Sequence, residues 1–171
     1  MKNIAYLGGL LLAWSCISHA ATLTPAEISS EIELHGAKAV VQKLYSAGLF
    51  DQVLDDIAAG QSAWIQLAPG LARGTDAGTS EGLIIALAHA LPNNPKAVLE
   101  VLDTGSVISA HAVCGVPFIE PTPQEIAAYL ERAIPAVEAV QESTQFPMRE
   151  DCLQVLLQIK SSIVLHSADS V

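Results

Sequence analysis

The chain has 171 residues, 51% of them hydrophobic, with 18 acidic against 8 basic side chains and a net charge of −10. That is enough residues for one domain with its own core. The negative field argues against nucleic acid or an anionic membrane surface as partner, because both would be repelled.

Residues 1–20, MKNIAYLGGLLLAWSCISHA, place Lys2 ahead of an apolar run from Ile4 to Trp14, with the small residues Ser18 and Ala20 behind it. This pattern predicts a cleaved secretory signal peptide. The apolar run is shorter than the ~20 residues of a spanning helix, which argues against an uncleaved anchor. The alternative is a lipoprotein cut before Cys16, although Ala13 stands where such signals usually carry leucine and Trp14 is bulky. Cleavage after Ala20 predicts one mature domain, 21–171, that loses Lys2 and so carries 7 basic and 18 acidic residues, net −11. It also predicts a periplasmic or secreted bacterial protein, with no membrane insertion of the mature part.

Thr24-Pro25-Ala26-Glu27 is a capping box with proline at the first helical position, so a helix is expected from Pro25. Ile28 and Ile32 give its inner face, and Gly36 either breaks or weakens the helix before Val40, Val41 and Leu44 resume the apolar stripe. Gly48 reads as a C-terminal cap. Leu49 to Ala59 sets Phe50, Val53, Leu54 and Ile57 on one side and Asp51, Asp55 and Asp56 on the other, which is an amphipathic helix closed by Gly60. Gln61 to Leu71 repeats this weakly through Trp64, Ile65, Leu67 and Ala68, until Pro69-Gly70 is expected to disrupt it.

Glycines at 70, 74, 78 and 82 predict a surface loop that leads into the next helix. A phosphate-cradling loop does not fit, since no strand precedes it and no Gly-Lys-Ser/Thr follows. Ser80 to Leu91, SEGLIIALAHAL, is apolar on nearly every side of a helical wheel, so it is expected at the centre of the fold as a buried strut. Asn94-Pro95 restarts a helix that buries Ala97, Val98 and Val101. Val107 to Val113 reads as a short helix and Gly115 to Pro121 as an extended connector.

Thr122-Pro123-Gln124-Glu125 repeats the first capping box and opens a helix over Pro123 to Glu142, which Pro135 should kink. A last helix from near Pro147 turns Cys152, Leu156 and Ile159 inward, and SADSV reads as a frayed tail. Nothing alternates with period two for long. The fold class expected is therefore all-α, about eight segments in an irregular stack of short helical hairpins, resembling armadillo or HEAT repeats in style.

After loss of Cys16, Cys114 and Cys152 remain, and in an oxidising compartment they are expected to pair. His111 lies one helical turn before Cys114, which admits a thiol-imidazole pair, but catalysis would need that thiol free. His35, His89, His111 and His166 show no metal-ligand spacing, and His89, inside the strut, reads as a hydrogen-bonded core histidine. The carboxylates read as solvated helix faces, and neither G-x-S-x-G nor S-x-x-K occurs. These readings imply no enzyme, no cofactor and no metal.

What remains is a small acidic binding protein for a protein partner, with a basic one matched to its field, such as an inhibitor or immunity protein that neutralises a cell-wall hydrolase. The alternative is a periplasmic scaffold or envelope-assembly component that holds a peptide or protein in a helical groove. Expected contact residues are Asp55, Asp56, Arg73, Thr75, Asp76 and Thr79. The pairing of the cysteines makes a direct prediction: under denaturing conditions the exported chain titrates no free thiol, and its intact mass lies two protons below that of the reduced chain.

Overall fold

The computed structural model describes the backbone of residues 23–168, so the expected signal peptide and Cys16 lie outside the described residues. Ten helices follow in order: α1 Pro25–His35, α2 Ala37–Ser46, α3 Phe50–Ala58, α4 Ser62–Ile65, α5 Ala68–Ala72, α6 Ala77–Ala90, α7 Pro95–Val101, α8 Ala110–Cys114, α9 Pro123–Glu138 and α10 Arg149–Ala168. Among the described residues the only extended pairing is an isolated bridge between Asp103 and Ser109, so the fold is all-α. No helix among them is long and apolar enough to cross a membrane.

Local chemistry sets the boundaries. Thr24 and Thr122 form the two capping boxes with Glu27 and Glu125, and Asn94 caps α7 through the Ala97 amide. Gly36, at φ 82°, does break the first helical region, because that backbone conformation has no place inside an α-helix. Pro69-Gly70 begins a helix where it was expected to end one: Pro69 falls in the first turn of α5, where no hydrogen-bonded amide is lost. This splits the expected Gln61 to Leu71 segment into α4 and α5 and raises the number of helices.

The expected Gly70 to Gly82 loop is largely helical. Asp76 caps α6 with Thr79 in the reciprocal role, the Thr79 amide donating to Asp76 Oδ1 at 3.1 Å and the Asp76 amide to Thr79 Oγ1 at 2.9 Å. Threonine can close the box as glutamate does, so α6 starts at Ala77 and takes in Gly78 and Gly82. At the other end of the chain α10 runs on through Ala168, two residues into the expected tail, and residues 169–171 lie outside the described residues.

α6 is the centre, packed against α3, α5, α7 and α8. Leu83, Leu87 and Leu91 are wholly buried, as the strut reading requires. Burial is not complete all round, however. Glu81, Ile85 and His89, spaced four residues apart, form a strip that is only partly covered, with Glu81 and His89 exposed and Ile85 half-buried, so His89 is not a core histidine. α1 and α2 pack as one hairpin and α9 and α10 as another, whereas α3 on α6 and α8 on α10 join elements distant in sequence. This mixture makes the stack irregular.

The Cys114–Cys152 disulfide ties α8 to α10 across a sequence separation of 38, with Cα atoms 5.4 Å apart and both residues fully buried. Loop-closure entropy gives about 4 kcal/mol for a loop of this size.

Arg149 supplies a second tie. Its side chain is nearly buried, and its guanidinium donates from Nε to the Val140 carbonyl and from Nη2 to the Glu138 carbonyl at 3.2 Å. These carbonyls end α9, four residues short of the expected Glu142, and Arg149 satisfies them from the first turn of α10. Truncation would leave both carbonyls with reduced hydrogen bonding, so Arg149→Ala should lower unfolding free energy by about 2–3 kcal/mol in urea melts. Arg149→Lys should recover only part, since one ammonium cannot reproduce the two-pronged contact.

Candidate functional site

A cleft of about 580 Å³ lies between α2, α3 and the start of α6. Glycine determines its shape. A Cβ on Gly74 would collide with the backbone of Ala37 and Lys38, so only glycine lets the α5–α6 turn press against the start of α2. A Cβ on Gly82 would stand 2.8 Å from Leu54 Cδ1, while one on Gly78 meets nothing within 4 Å. Gly78 and Gly82 thus leave a bare stretch of α6 facing the cleft.

Lys38 and Tyr45 enter from α2, Asp51 and Leu54 from α3, and Arg73, Thr75 and Asp76 from the turn. Arg73 Nη1 donates to the Pro69 carbonyl at 2.9 Å, and Thr75 Oγ1 to the Ala72 carbonyl at 3.0 Å, so both side chains brace the end of α5. Asp76 stays ionised more readily than an ordinary aspartate, because the Thr79 hydroxyl and amide both donate to it. Its position at the N-terminus of α6 favours the same charge. Tyr45 is 67% exposed and Leu49, just after the α2 end, is 37% exposed, which sets apolar surface beside the mouth.

Of the contact residues expected from sequence, Arg73, Thr75, Asp76 and Thr79 are gathered in this cleft. Asp55 and Asp56 are not among its lining residues; Asp51, one turn earlier on α3, is. Asp56 instead accepts a hydrogen bond from Gln61 Nε2 at 2.9 Å, across the α3–α4 turn. Lys38 and Tyr45 went unmarked in the sequence because their nearness to Asp76 depends on the Gly74 contact, which no local pattern announces. The unusual glycine density of the segment was the available signal.

Other expected chemistry is dispersed. Cys114 is consumed by the disulfide, which leaves His111 no thiol to activate. Glu31, on α1, is bound to Lys43 of α2 at 2.7 Å, and that ammonium holds its carboxyl below the ordinary range. Among the described residues no three of His, Cys, Asp and Glu converge in a metal-binding arrangement. The cleft is lined by the charges of Lys38, Arg73, Asp51 and Asp76, the phenol of Tyr45 and the hydroxyls of Thr75 and Thr79, and the Thr79 hydroxyl donates to Asp76 Oδ1 at 2.7 Å.

The glycines separate cleft shape from stability. Gly74→Ala must displace the turn from α2 and should cost about 1–3 kcal/mol. Gly78→Ala, with open space around it, should stabilise α6 by about 0.5 kcal/mol. Chemical denaturation of the two variants checks this, and equal effects would remove the steric argument for Gly74.

Comparison of the chain with protein-family models, with curated proteins and with solved structures finds no match.

Proposed function

We propose that the protein is an exported binding protein whose α2–α3–α6 cleft docks a basic protein partner, as an inhibitor or immunity protein that neutralises a cell-wall hydrolase. The observation that carries this reading is the convergence of Asp51, Asp76 and the exposed Tyr45 on one glycine-shaped cleft of a strongly acidic chain. The two carboxylates suit a lysine or arginine of the partner, while Tyr45 and Leu49 can pack on its alkyl stem. Lys38 and Arg73 balance the local charge and provide for a partner carboxylate at the periphery. The net charge then acts at long range by steering a cationic partner, a role it fulfils without touching it. Export is supported by the N-terminal pattern and by the disulfide, which persists in oxidising compartments.

The test is binding and inhibition of a panel of basic wall-degrading enzymes, beginning with lysozyme, by the purified oxidised protein. Association should slow as salt rises, and Tyr45→Ala combined with Asp51→Lys should weaken the complex about a hundredfold. Reversal of Asp55 and Asp56, outside the cleft, should alter chiefly the association rate. Neither binding nor inhibition across the panel would overturn the proposal. Slow, salt-insensitive capture of an apolar peptide would instead select the scaffold reading.

A further inference from the structure

A second cavity, of about 530 Å³, lies toward the C-terminal end of α6, where Ile85 and His89 line it. The connector between α8 and α9 folds over them. Phe118 stacks on the His89 ring, centroids 4.5 Å apart and planes inclined by 24°, and Tyr129 of α9 meets Phe118 edge-on at 4.9 Å. The Tyr129 hydroxyl is committed, donating to the Ala88 carbonyl at 3.1 Å, so its ring is fixed.

Two non-glycine residues hold the connector in the left-handed region, Val116 at φ 55° and Glu120 at φ 46°. For a β-branched valine that conformation is costly, and it brackets the stretch that presents Phe118 and the 74% exposed Ile119. An apolar side chain as exposed as Ile119 gains nothing from the fold itself. At the cavity mouth it extends the apolar wall formed by Ile85, Phe118 and Tyr129.

The polar groups are few. Glu125 turns its carboxylate to the Thr122 amide and hydroxyl, both at 2.8 Å, as the cap of α9. Arg132, one helical turn beyond Ala128, lines the same cavity and makes no hydrogen bond or ion pair among the described residues. Partial burial, and after it the Arg132 guanidinium, hold His89 below the ordinary histidine range. Arg132 is exposed at the cavity with no carboxylate paired to it, and a guanidinium beside an aromatic wall is a place for an anion.

We propose that this cavity binds a small carboxylic acid with an aromatic or alkyl body, the apolar part against Phe118, Tyr129 and Ile85 and the carboxylate on Arg132. The volume suits a ligand of that size. One guanidinium matches a single carboxylate, and the nearby charge of Glu125 disfavours dianions such as phosphate monoesters. The same Arg132 disfavours a quaternary ammonium guest, which the aromatic wall alone would admit. The site shares no residue with the α2–α3–α6 cleft and is independent of the partner proposed for it.

The experiment is an NMR titration of the isotope-labelled, oxidised protein with 3-phenylpropionate, followed at the ring resonances of His89, Phe118 and Tyr129. Saturable shifts are expected at these rings, with affinity at least tenfold weaker for the neutral 3-phenylpropionamide and for Arg132→Gln. Ile119→Asp, at an exposed position that folding does not need, should weaken the acid further than it weakens the amide. Absence of saturable shifts, equal affinity for acid and amide, an unchanged affinity in Arg132→Gln, or tighter binding of a trimethylammonium analogue would each overturn the assignment.

Discussion

The burial of one face of α6 governs the rest of the structure. Leu83, Leu87 and Leu91 are wholly removed from water, and four neighbouring helices pack around α6. The partners come from several short helices on different sides: α3 and α5 before it in sequence, α7 and α8 after it. Each buried leucine contributes about 1.5–3 kcal/mol relative to exposure, and this sets a strong penalty on any arrangement that separates the two halves. The short turns follow from the same requirement, since chain that is not covering α6 adds entropy cost without apolar gain.

The second half of the chain shares that core and carries two further fastenings. α9 and α10 form a hairpin at the edge, with α10 reached by α8 through the disulfide and α9 closed by Arg149. The disulfide lies within the core, and Arg149 acts at its edge. The disulfide limits the unfolded chain, whereas Arg149 satisfies backbone acceptors that would otherwise end a helix against a protein surface. Reduction of the disulfide and loss of Arg149 act on the same hairpin, so their effects on stability should not add independently.

Sequence reasoning was most successful where the cause of structure is local. The two Thr-Pro capping boxes, the Asn94-Pro95 restart and the apolar stripe of α3 are each complete within a few residues, and each element begins where those residues place it. It failed where two readings share the same letters. Pro69-Gly70 can end a helix or occupy the first turn of one, and the tertiary contact of Gly70 with Ile32 Cδ1 of α1, 3.2 Å from where a Cβ would sit, belongs to the second case. The glycines at 78 and 82 read as loop because intrinsic propensity counts against them, yet the Asp76–Thr79 cap and the packing of α6 outweigh that cost. His89 was misplaced for a different reason: an apolar wheel shows how hydrophobic a helix is, not how many neighbours the fold will supply.

The two cavities express this shortage of neighbours. Where α6 is followed from its N-terminus, bare glycine backbone leaves space between it and α2 and α3; where it is followed to its C-terminus, the partly covered strip is roofed by Phe118. A helix that was covered all round would have been more stable and would have presented nothing. The composition of the two spaces nevertheless differs in a way that packing alone does not require. One collects opposed charges around small residues, and the other sets a lone guanidinium beside aromatic rings held by a strained connector. Strain at Val116 raises the energy of the folded chain, and a conformation of that kind persists only because the surrounding contacts over-determine it. The stacking of Phe118 on His89 and its edge contact with Tyr129 are those contacts, so the rings that fix the connector are also the rings left facing the cavity.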